Sequence, residues 1–134
     1  MRFRSSSRPI VRARIAFVLW TAIILAATVP WFDFVGHTHW GKVQWIPFVT
    51  PPVKLLDIVV NLLLYGPFGY ELIRATRRLR RPRHTAAIAG TLSLAVEWSQ
   101  LYSHSRFPST QDVLCNLSGA WVGAAWAERV RPPY

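Results

Sequence analysis

A single cysteine, Cys115, stands in 134 residues, which excludes an internal disulfide framework and any cysteine-rich zinc site. Acidic residues are scarce as well: 6 Asp and Glu face 16 Lys and Arg, for a formal net charge of +10. So basic a chain invites a nucleic-acid reading. The arginines, however, fall in three separate segments without interleaved aromatics on which bases would stack, so no nucleic-acid partner is expected. Also missing are a Ser-His-Asp arrangement, an HExxH pair, a phosphate loop and a dinucleotide fingerprint. No cofactor is therefore expected, and no nucleophile is legible.

Charge is absent over long distances too. Residues 15–29 read IAFVLWTAIILAATV and carry none. Residues 55–73 hold only Asp57 and Glu71, residues 85–102 only Glu97, and residues 111–127 only Asp112. Each run is 15 to 19 residues long, at or just under the ~17–25 that cross a hydrocarbon core at about 1.5 Å per residue. Four such runs in one small chain, whose mean hydropathy is +0.21, would leave a soluble bundle almost no polar face to show water. The expected fold is all-α: a polytopic four-helix transmembrane bundle over residues 15–127, with a polar tail at 1–14 and another at 128–134.

The arginine-rich start ahead of the first run resembles a signal peptide, with Ala26-Ala27-Thr28 as a cleavage site. Pro30-Trp31-Phe32 extends the apolar run past that site and supplies an interfacial aromatic, which favours an uncleaved helix. Orientation follows from the basic residues. Arg2, Arg4, Arg8, Arg12 and Arg14, the six arginines from Arg74 to Arg83, and Arg129 and Arg131 make thirteen on one side, against Lys42, Lys54 and Arg106 on the other. Both termini are thus expected on the cytoplasmic side. The segment 31–54, with Trp31, Phe32, Phe34, Trp40, Trp45 and Phe48, is expected to lie on the outer membrane surface. Pro67, between Gly66 and Gly69, removes a backbone donor and predicts a bend in the second helix.

The chemistry lies in what apolar helices should not contain. Ala86, Gly90, Ser93, Glu97 and Gln100 recur at intervals of four and three, as do Asp112, Asn116, Gly119 and Gly123, while Asp57 and Asn61 are four apart. Each set describes one helical face, and small or polar faces turn toward one another because lipid tails cannot satisfy them. Counted from the outer helix ends, Asn61 lies ~9 Å deep and Glu97 and Asn116 ~7.5 Å deep. Asn61, Glu97, Gln100, Asp112 and Asn116, with Arg106 as counter-charge, are the expected ligand-binding residues. The structural alternative is that Asn and Gln only join helices, at about 0.6 kcal/mol each. The Gly119/Gly123 pair is a close-packing element, either within the chain or between copies.

His37 and His39, with Asp33, form a poor metal signature, so no metal is expected there. His104 beside the polar mouth is a weaker candidate for handling protons, and Cys115 has the setting of a packing residue.

The ordered set Asn61, Leu62-Leu63-Leu64-Tyr65, Pro67-Phe68-Gly69, Ser93, Glu97, Gln100, Arg106, Asp112, Asn116, Gly119 and Gly123 resembles the VanZ-like family of small bacterial membrane proteins across residues 57–123. The chain departs from the family mainly before the second helix, where the family commonly has an Asp-Lys and a His ahead of or within a helix, whereas here only Lys54 and Asp57 flank that region. The resemblance implies a multi-pass protein of the bacterial cytoplasmic (inner) membrane, associated in its namesake with reduced susceptibility to glycopeptide antibiotics. The leading expectation is an outward polar pocket that engages membrane lipids, a lipid-linked cell-wall precursor or an amphiphilic antibiotic. The alternatives are a small proton-coupled exporter using Glu97 and an accessory subunit packing through Gly119 and Gly123. An enzyme with Glu97 and Asp112 as an acid–base pair ranks lower.

Overall fold

A computed structural model describes residues 8–49, 55–76 and 81–130. Arg2, Arg4, Pro51, Pro52, Lys54, Arg77, Arg78, Arg80 and Arg131 lie outside the described residues. The described residues form four helices in chain order: α1 (Arg8–Thr28), α2 (Leu55–Ala75), α3 (Pro82–Gln100) and α4 (Thr110–Val130). A 3₁₀ turn occupies Trp40–Lys42. The described residues form no strand, only two isolated bridges. The expected all-α class holds.

Helix extends into both stretches read as tails. Helix α1 begins at Arg8, inside the stretch read as a polar tail. Pro9 falls in the first turn, where a helix needs no amide donor, and arginine is a good helix former. The Arg14 guanidinium donates to the Ala75 carbonyl at the end of α2 (3.2 Å), where a cation meets the negative end of the helix dipole. At the other terminus α4 continues to Val130.

Helix α2 packs most extensively on α4, and the residues at that contact explain why. A Cβ at Gly123 would stand 1.9 Å from the Gly66 carbonyl oxygen, one at Gly69 2.0 Å from that of Ala120, and one at Gly119 2.6 Å from that of Leu62. The two backbones touch where side chains are missing. The Gly119/Gly123 pair therefore packs inside the chain, one of the two arrangements the sequence left open, and the accessory-subunit alternative loses the surface it relied on. Beside this seam Ile24, Tyr65, Phe68, Leu72, Ala89 and Ala120 form the apolar core, with Phe17 and Trp20 of α1 packed on it. The Phe17 and Phe68 rings meet at 5.1 Å.

Helix α2 runs through Pro67 without interruption. The Trp20 indole N–H donates to the Leu64 carbonyl, next to Leu63, whose own carbonyl Pro67 leaves without its helical partner.

The segment after α1 lies across the α3–α4 loop. The Val35 amide donates to the Tyr102 carbonyl (2.8 Å), that of His39 to Leu101 (2.9 Å) and that of Gln44 to Pro108 (2.9 Å), while Thr110 donates back to Gln44 (3.0 Å). Phe34 bridges Ser103, and Gln44 bridges Ser109. The sequence placed this segment on the membrane surface; its backbone is tied to the loop, while Trp31, Phe32, Trp45 and Ile46 remain exposed.

Candidate functional site

The polar faces of α2, α3 and α4 converge as their spacing predicted. Glu97, in the last turn of α3, is 8% exposed. Its Oε2 accepts the backbone amide of Ser109 at 2.6 Å. Ser109 immediately precedes α4, so the carboxyl group stands at the positive end of that helix dipole, the one place in an apolar bundle where backbone amides are free to receive it. Asp112 is in the first turn of the same helix. Asn61 of α2 reaches its carboxyl, and Asp57 and Glu97 are close enough to interact electrostatically.

One turn deeper the groups are neutral. The Asn116 amide donates to the Ser93 hydroxyl at 2.9 Å, fully inside the bundle. Ser93 also faces the Tyr65 ring hydroxyl. Tyr65 Oη and Asn116 Oδ1 are both buried without a hydrogen-bond partner. Among the described residues Glu71 Oε2 and Thr85 Oγ1 also lack a partner, outside this cluster. Such an atom costs about 1–3 kcal/mol, and Tyr65 Oη and Asn116 Oδ1, on either side of Ser93, could each take a further hydrogen bond. Neither Glu97 nor Asp112 forms an ion pair among the described residues, whose one such pair joins Arg74 to Glu71 at 3.6 Å.

Two residues predicted as ligands are engaged elsewhere. The Arg106 guanidinium donates to the Ala27 carbonyl (3.1 Å) at the end of α1, which corrects its assignment as counter-charge to Glu97. The cause is the fold of the loop around Asp33. That carboxylate accepts the Ser103 hydroxyl (2.6 Å), the Ser105 amide (2.8 Å) and the Ser105 hydroxyl, turning Arg106 toward α1. The Gln100 amide donates to Thr28 (3.2 Å), the last residue of α1, whose carbonyl has no helical partner. Gln100 joins α3 to α1.

The hydrogen bonds from Ser103 and Ser105 hold the Asp33 carboxyl well below the usual carboxylate range. A native value below the unfolded one (~3.9) stabilises the fold fully at neutral pH, and that stabilisation is lost as pH falls below the unfolded value toward the native one. Melting in detergent should therefore separate the wild type from Asp33→Asn by a gap that is constant above about pH 5 and narrows below about pH 4. A gap that does not narrow on acidification would refute this account of Asp33.

The residues that converge on Glu97 and Asn116 lie within a longer match. The family described as VanZ/LLP1 matches residues 13–131. The chain belongs to the VanZ/LLP1 family. No curated protein and no solved structure matches it. The matched span takes in most of α1 and the whole of α2 and α3, together with α4 and every residue of the polar cluster.

In this VanZ/LLP1 chain the sequence reading passed over Tyr65 and Ser109 as site residues. Tyr65 was detectable, since it follows Asn61 by one helical turn on the same face. Ser109 was not, because it acts through its backbone amide, which every residue but proline possesses.

Proposed function

We propose that this VanZ/LLP1 protein is a four-span integral protein of the bacterial cytoplasmic membrane, both termini inside, whose outward polar cluster engages the headgroup of a lipid-linked cell-wall precursor or an amphiphilic antibiotic. The membrane reading is supported by an inverted distribution of polarity. Val18, Leu19 and Ile23 of α1, Leu56, Val60 and Leu63 of α2, Leu94 and Trp98 of α3, and Trp121, Val122 and Trp126 of α4 are exposed, while Ser93, Glu97, Gln100 and Asn116 are buried. Helices α1 and α2 are each long and apolar enough to cross a membrane. At 21 residues, α4 has the length of α1 and α2, while α3 has 19; both are more polar because of the inward face they share.

The observation that carries the binding reading is the buried Glu97 carboxyl one helical turn from Ser93, where Tyr65 and Asn116 meet with Oη and Oδ1 lacking a hydrogen-bond partner. A ligand with hydroxyl or amide groups would complete both. Binding is favoured over proton-coupled export because Phe68 and Leu72, with Ile24, form an apolar layer on the far side of Tyr65 from Asn61, and a proton path past Glu97 would have to cross it.

Two measurements test this reading. A reporter fused after Tyr134 should read cytoplasmic, and a tag beside Gly41 should be accessible from outside intact cells; the reverse result would reject the outward site. A strain deprived of the protein should become more susceptible to a glycopeptide and regain tolerance with the wild-type chain. An unchanged inhibitory concentration would remove the antibiotic from the proposal, and the lipid-linked precursor would then be tested as the co-purifying species by native mass spectrometry.

A further inference from the structure

Three of the four histidines meet away from the polar cluster. His37 and His39 come from the segment between α1 and α2, and His104 from the loop between α3 and α4. One ring nitrogen from each lies within 4.8 Å of the others. The ring centroids are 4.7 Å apart for His37 and His39, 4.9 Å for His39 and His104, and 5.6 Å for His37 and His104. Around a tetrahedral zinc ion at ~2.0–2.1 Å the ligand nitrogens stand about 3.3 Å apart. Zinc binding therefore requires the rings to turn toward one another, and His37 and His104 are exposed.

The arrangement does not depend on the rings attracting one another, because both segments are fixed from outside the triad. Val35 and His39 bond through their amides to Tyr102 and Leu101. Ser103 and Ser105, which flank His104, both donate to Asp33. His39 is oriented further: its Nδ1 lies 3.1 Å from the Leu101 carbonyl oxygen. A carbonyl only accepts, so Nδ1 carries the proton in this contact, which in the neutral ring leaves the lone pair on Nε2. That is the outer contact by which a ligating histidine is held in one tautomer.

Three protonated imidazoles at these distances would repel each other, whereas three neutral ones present a set of lone pairs that a single cation can share. An all-imidazole set suits zinc and its late first-row neighbours and not the oxygen-seeking magnesium or calcium. Two of the rings are exposed, which leaves a fourth position open to water or another donor. We infer that His37, His39 and His104 form a three-histidine site for zinc at the loop end of the bundle, distinct from the Glu97 cluster. The ion would fasten the α1–α2 segment to the α3–α4 loop. The sequence discouraged this reading because it places only two of the ligands near one another.

The test uses the full chain in detergent, purified through a tag without histidine and stripped with a chelator. Zinc titrated against a chromogenic competitor should bind at one ion per chain, cobalt(II) should give the intense visible bands of a four-coordinate site, and zinc should raise the melting temperature. His37→Ala and His104→Ala should each weaken binding by at least about tenfold and remove the cobalt bands while eluting as the wild type on gel filtration, since both side chains are exposed. His84→Ala, which removes the fourth histidine at the opposite end of α3, should change nothing. A folded wild-type chain that retains no zinc and gives no cobalt bands would overturn the inference. So would zinc binding that His37→Ala and His104→Ala leave intact or that His84→Ala abolishes.

Discussion

Gly123→Val should leave little folded protein, and even Gly123→Ala should lower the stability by more than about 3 kcal/mol, beyond the usual range for an overpacked core. The new Cβ would lie 1.9 Å from the Gly66 carbonyl oxygen and 2.7 Å from its carbon. Both sides of that contact are backbone, so no rotamer change relieves it. The helices must separate by more than an ångström, on the order of the gap between that distance and ordinary carbon–oxygen contact, and the separation would loosen Ala120 and Ala124 in the same seam. Two other glycines supply the contrast. A Cβ at Gly66 would meet only the Gly119 oxygen at 3.9 Å, and one at Gly90 only the Leu117 Cδ1 at 3.2 Å, the movable end of a side chain. Gly66→Ala and Gly90→Ala should therefore be neutral or stabilising, by up to about 1 kcal/mol from helix propensity. Yield and melting temperature in detergent decide the matter: equal losses at all three positions would show that the α2–α4 seam is not the close contact described here.

Glu97→Gln should separate structure from function. The amide retains an oxygen to accept the Ser109 N–H, now 2.6 Å from Glu97 Oε2, and burying an amide costs less than burying a charge. Stability should change by no more than about 1 kcal/mol, while any glycopeptide-tolerance phenotype should disappear. Glu97→Ala is the harsher change. It leaves that N–H unpaired and opens a cavity at the start of α4, and should lower stability by about 2–4 kcal/mol. Expression and melting temperature must be read beside the inhibitory concentration. A normally expressed Glu97→Gln protein with full activity would reject the functional site and leave Glu97 as the residue that holds the α3–α4 loop.

The sequence by itself determined the features that depend on local order. Apolar runs and their breaks marked four helices, and the four-and-three spacing of Ser93, Glu97 and Gln100 and of Asp112, Asn116, Gly119 and Gly123 put each set on one face. Those faces do meet, at Glu97 with Ser109 and at Asn116 with Ser93. Helix limits were less legible, because a first turn beginning at Arg8 needs no apolar residue. The tertiary structure decided which groups are partners. Arg106 turned to the Ala27 carbonyl, Gln100 to Thr28, and the segment after α1 to the α3–α4 loop. Each of these contacts ends on a backbone carbonyl or amide, and the backbone is the same whatever the residue, so no pattern of side chains announces it. The same cause kept His104 apart from His37 and His39 on paper: only the backbone pairing of two distant segments brings the three rings together.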